Sequence, residues 1–154
     1  MDLTASKNLT DRIAALLKTA PNVARDLKRI SSDKFAERSE GGITEVSLAN
    51  AIYFVQKHGL PYSVRLSNPG SQPCVANHTV IAAWGTPDLG TFIFTGFGWG
   101  YGGSGAWGLM RLLILFGIRS GTQGEVGNEI LSWPQTTGRE WKMQPDGEWL
   151  GVGA

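Results

Sequence analysis

Ten consecutive residues, Gly96 to Gly105, read GFGWGYGGSG and interleave six glycines with Phe97, Trp99 and Tyr101, and the ring of Trp107 follows two positions on. Each glycine held in ordered structure costs about 0.5–1 kcal/mol more than alanine in backbone entropy, so such a cluster needs a reason. Two reasons fit. One is positive φ and close backbone approach where a strand turns into a helix, with the rings filling core. The other is exposure of successive N–H groups to an anion at a helix start, with ring faces offered to a planar base. On the second reading the ligand-binding residues are Phe97, Trp99, Tyr101, Gly102, Gly103, Ser104 and Gly105, with Arg111 and Arg65 as the cations near them.

Gly98-x-Gly100-x-x-Gly103 spells the dinucleotide fingerprint, but that turn belongs between parallel strands, with an acid ending the next strand. The strands before the run read as an antiparallel hairpin, and Glu125, near the right distance, follows Gly121-Thr-Gln-Gly124 rather than a strand. A P-loop is excluded because no Lys-Ser/Thr follows Gly103.

Other reactive side chains form no set. Cys74 and His78 in an extended segment stand roughly 13 Å apart. His78-Thr-Val80 is a single His-x-Thr, and His58 falls at a helix C-terminus. Asp88, Glu125 and Glu129 make no acid/base pair. One cysteine and two histidines are too few for a tetrahedral zinc. No cofactor or metal is implied, and the expectation is a binding protein, not an enzyme.

The elements that must position the run follow from periodicity. Leu9, Ile13, Leu16 and Leu17 recur at helical spacing up to Pro21, and Val23, Leu27 and Ile30 repeat in a second short helix. Residues 31–42 read as a loop. A third helix has Thr44 as cap, Leu48, Ala51, Ile52 and Val55 as apolar stripe, and Gly59 as its C′ residue. From Pro61 the chain alternates as strands over 62–66, 78–84 and 91–95, the last two a hairpin turning through Pro87, Asp88 and Gly90. An apolar helix spans Ala106–Phe116, a shorter one Gln123–Ser132, and the tail is a hairpin around Pro145-Asp-Gly147. The expected fold is α+β in one domain, 1–154: a helical region, 1–60, packed on a small, mainly antiparallel sheet with the buried helix, 61–154.

Charged residues make up 18% of the chain against about 25% in typical domains, and the net charge is +1. Bulk electrostatics therefore give no support for nucleic acid as an obligate partner. Low charge, six tryptophans and a helix apolar on most sides point to contact surfaces, a homo-oligomer being the economical form. A protein target is the alternative: an inhibitor or adaptor that blocks a host complex, with Trp141 and Trp149 as anchors. The longest apolar run, 112–118, is far short of the ~20 residues of a membrane span, and no signal peptide opens the chain, so a cytoplasmic location is expected.

The segment Trp99-Gly-Tyr-Gly-Gly-Ser-Gly105 with Leu109-Met-Arg-Leu-Leu113 resembles the strand–WGYGGxGP–helix motif of small phage, prophage and archaeal proteins. The likeness covers roughly residues 90–117, with Ala106 where the motif usually has proline. The segment is also similar to phage counter-defence proteins of the Thoeris anti-defence type, which sequester cyclic nucleotide signals as oligomers without cleaving them. That resemblance implies a nucleotide ligand, an oligomer and the host cytoplasm.

Overall fold

The computed structural model of the protein describes residues 8–33, 44–68, 78–85 and 89–152. Helix α1 (Leu9–Thr19) starts at Asn8, whose side-chain oxygen accepts from the amides of Thr10 and Asp11. Pro21 then opens α2 (Pro21–Asp33), where its missing N–H costs no helical bond. This helix runs three residues beyond its apolar stripe, into the segment expected to be a loop; residues 34–43 lie outside the described ones.

Helix α3 (Thr44–His58) buries the predicted stripe and also Ala49 and Phe54, so it is enclosed on most sides. Gly59, at φ 80°, ends it as expected. Thr44 is itself the first helical residue, and its hydroxyl donates to the Gly96 carbonyl at 2.5 Å. Ser47 does the same to Thr95 at 2.6 Å, so the start of α3 is pinned to the chain that leads into the glycine run.

Five strands form one sheet in the order β3-β2-β1-β4-β5, with β1 (Ser63–Ser67), β2 (Thr79–Ala83), β3 (Thr91–Phe94), β4 (Arg139–Met143) and β5 (Trp149–Gly151). Every neighbouring pair is antiparallel. The fold is α+β, and both expected hairpins are present. Alternation sorts the faces: Val64, Leu66, Val80, Ala82, Phe94 and Trp141 turn into the core, while Arg65 and Ile93 point away from it.

The glycine run leads from β3 into α4 (Ser104–Phe116), and α5 (Gln123–Ser132) follows. Leu109, Leu112, Leu113, Leu115 and Phe116 expose nothing. Helices α1, α3 and α5 pack around α4, and the sheet closes it, Trp84 edge-on to Phe116 at 6.3 Å. The chain by itself thus covers this apolar circumference. The carboxyl end of α4 is closed by Gly117 at φ 78° and by Arg12, whose guanidinium donates twice to the Leu115 carbonyl. Among the described residues no helix is long and apolar enough to cross a membrane.

Candidate functional site

The rings of the glycine run divide by burial. Phe97 and Trp99 are core residues, Trp99 with no exposed surface. The Trp99 indole stacks on the His78 imidazole at 3.7 Å and 4°. His78 Nε2 lies 2.8 Å from the Gln135 carbonyl, and the Trp99 N–H reaches its Nδ1 at 3.4 Å. A carbonyl can only accept and an amide N–H only donate, so His78 is the neutral tautomer with its proton on Nε2. Burial lowers its pKa, partly offset by the bond to Gln135.

Tyr101 lies in a slot cut by glycines. A methyl group added at Gly98 or Gly105 would come within 2.5 Å of its hydroxyl, and one at Gly103 within 3.5 Å of its ring. A methyl at Gly100 would meet the Trp133 carbonyl at 2.5 Å. Packing therefore accounts for Gly98, Gly100 and Gly105. The exposed pair Gly102 and Gly103 is different: a methyl at Gly102 meets nothing nearer than 4.0 Å.

Gly103, at φ 144°, is the N-cap of α4 and supplies no capping side chain, so the first amides of the helix keep their donor capacity. Through Gly103 and Ser104 this helix end borders a cleft of about 470 Å³ that is also lined by Thr19, Pro21, Asn22, Glu45 and Trp107, among others. The amino ends of α2, α3 and α4, each carrying about half a positive charge, thus meet at one depression with the carboxyl end of α1, which carries the opposite sign. Ser104, Trp107 and Arg111 share one face of α4. Side chains on a helix lean toward its amino end, which brings the Arg111 guanidinium back over Trp107, 3.8 Å from the ring centroid. Its Nη1 donates to Thr19 Oγ1 at 2.6 Å, and the Thr19 hydroxyl donates in turn to the Leu16 carbonyl at 3.1 Å.

Of the residues singled out in the sequence, Gly103 and Ser104 line the cleft, Gly102 adjoins it, and Arg111 lies behind Trp107. Phe97, Trp99 and Gly105 are buried beneath, and Tyr101 fills its slot. Arg65 is not brought there: it is exposed on the open face of the sheet, in register with Ile81 and Glu140. The Trp107 ring belongs to the aromatic set that accompanies the glycine run, whereas nothing in the sequence marks Thr19, Asn22 and Glu45. Pro21 signals a helix start from sequence, but nothing local says that three helix starts converge.

The carboxylates weighed as acids have other employment. Glu125 makes a capping box with Thr122 at the start of α5, and Glu129 takes a two-pronged bond from Arg119, 2.9 Å at the closest. Asp88 and Cys74 lie outside the described residues. Among the described residues no three His, Cys, Asp or Glu side chains gather as metal ligands would.

Comparison of the chain with family models, curated proteins and solved structures finds no match. What defines its class is the fold itself: an α+β domain whose antiparallel sheet carries its helices on one face, with a cleft at their converging amino ends.

Proposed function

We propose that the protein is a non-catalytic binder of a nucleotide-like small molecule, held in the cleft at the start of α4 and released unchanged. The observation that carries this reading is the uncapped amino end of α4 beside the half-exposed Trp107 ring. Free amides and three converging dipoles suit a phosphate, and an indole suits a base. Glu45 accepts hydroxyl or amino protons, as an acid does from a ribose. The absence of turnover rests on His78 being stacked and hydrogen-bonded in the core, and on Glu125 and Glu129 being tied into caps and ion pairs.

Sequestration of a cyclic-nucleotide signal in a host cytoplasm, by an oligomer of phage origin, is the biological role this binding would serve. The alternative, an inhibitor of a host protein complex, keeps only Trp107 and Trp149 as part-exposed anchors. Trp84, Trp99, Trp133 and Trp141 are buried, and the Trp149 indole donates to the Phe116 carbonyl.

The test is capture. The protein is incubated with linear, cyclic and ADP-ribose-type nucleotides, freed of unbound ligand, heated, and the supernatant analysed by mass. One nucleotide class should emerge intact from the wild type and from Arg65→Ala, and be lost from Trp107→Ala. Capture of none by the wild type sinks the proposal.

A further inference from the structure

Arg111 is 4% exposed, yet its guanidinium makes a single hydrogen bond, to a neutral hydroxyl, and its Nε has no partner. No carboxylate pairs with it among the described residues. The other buried arginine of the helical layer, Arg12, differs: it closes the carbonyl end of α4 with two bonds. The compensation available to Arg111 is the Trp107 face and the carboxyl end of α1, a partial negative charge only. Burial without a counter-ion lowers its pKa to about 10, still charged at neutral pH. Both groups it touches, Thr19 and Trp107, line the cleft. An under-compensated cation behind a cleft ringed by three helix amino ends is a site short of one anion.

Resting on the binding reading above, we infer that Arg111 is the charge-recognition residue of the cleft, and that the ligand it selects carries a phosphate-type anion seated at the amino end of α4, with the guanidinium acting from behind Thr19 and Trp107, the two cleft-lining groups it touches. Glu45, in the first turn of α3 on the same cleft, sets the other end of the ligand. A carboxylate there repels a molecule that is anionic throughout and accepts from one that also offers hydroxyl or amino donors. A nucleotide combines the two; a fatty acid or a bare polyphosphate does not. Arg111 and Glu45 thus act as a pair of opposite selectors.

Equilibrium dialysis of labelled pyrophosphate at constant ionic strength reads the anion half alone, beside melting curves without ligand. In Arg111→Met pyrophosphate affinity should fall by about tenfold, the loss of a poorly screened positive charge just behind the cleft wall. The ligand-free variant should melt at or above the wild type, because an apolar side chain replaces an unpaired buried charge. Arg111→Lys should keep part of the affinity, and Glu45→Gln should raise it. Absence of pyrophosphate binding from both the wild type and Glu45→Gln, or an Arg111→Met that binds it unchanged or melts well below the wild type, overturns the inference. A nucleotide captured equally by wild type and Arg111→Met leaves the binding reading standing without this residue. Arg111-dependent pyrophosphate binding with no nucleotide captured does the reverse.

Discussion

Gly98 and Gly105 flank the Tyr101 hydroxyl, and a methyl group on either would press to 2.5 Å from it. The atoms nearest to a Gly98 methyl all belong to Tyr101. Gly98→Ala should therefore cost about 1–3 kcal/mol of overpacking, and most of that cost should vanish in a Tyr101→Ala background. A urea double-mutant cycle measures it, and simple additivity of the two changes would mean the slot does not set the glycine. His78 gives a pH prediction. Its folded-state pKa lies below the 6.5 of a free histidine, so the unfolded chain takes up the proton first. Its contribution to stability is complete above pH 6.5 and is lost as the pH falls from there toward the folded-state pKa. For one proton the slope is at most about 1.4 kcal/mol per pH unit. Denaturation midpoints from pH 8 to 5 should show the decline, and His78→Gln should flatten it.

Helix ends carry the element-scale arguments. Thr122 caps α5 reciprocally with Glu125, and Thr122→Ala should cost about 1 kcal/mol by thermal or urea unfolding. Helix α4 is the opposite case, starting at a glycine with no cap. Ser104→Glu places a charge on the exposed first residue, where the dipole welcomes it, and should stabilise the protein by about 0.3–1 kcal/mol. The same charge would occupy the position of a bound anion, so capture of a nucleotide should fall while the melting temperature holds or rises. Stability and binding falling together would instead mean that the substitution disturbs the fold. The caps at Asn8 and Thr122 are local signals, formed by residues within three positions of each other, but Thr44 is the only amino-terminal cap expected from the sequence, and it is the first helical residue instead. The ligand-facing character of α4 is not a local signal, because Gly103 is recognisable as an empty cap only once the helix start is known.

At the scale of the molecule the sheet has one packed and one open face. Phe94 exposes nothing and its neighbour Ile93 is 53% exposed. Phe94→Ala should cost about 3–5 kcal/mol, whereas Ile93→Thr should stay within about 0.5 kcal/mol of the wild type. A large cost at Ile93, growing with protein concentration, would reveal a second copy of the chain on that face. The expected homo-oligomer would then have its interface on the sheet and not on α4, which one chain already encloses. Sedimentation of both variants separates these outcomes.

Much of this architecture is local chemistry and was legible as such. Alternation at 63–67 and 79–83, the stripe of α3 and the stop at Gly59 follow from periods of two and 3.6 and from a single positive φ. The glycine run, by contrast, looks the same whether it cradles a ligand or a tyrosine, since both need missing side chains at close spacing. Only the tertiary structure assigns Gly98, Gly100 and Gly105 to Tyr101, Trp133 and their neighbours and leaves Gly102 and Gly103 open. It alone sends Arg65 to the far face of the sheet and Arg111 to the back of a cleft, because strand parity and helix phase fix a side chain's direction but not what stands opposite it. Thr19, Asn22 and Glu45 meet Ser104 across as many as 85 residues of chain. Contacts between residues so far apart in sequence come from packing helices onto one face of a sheet, and no local pattern encodes them.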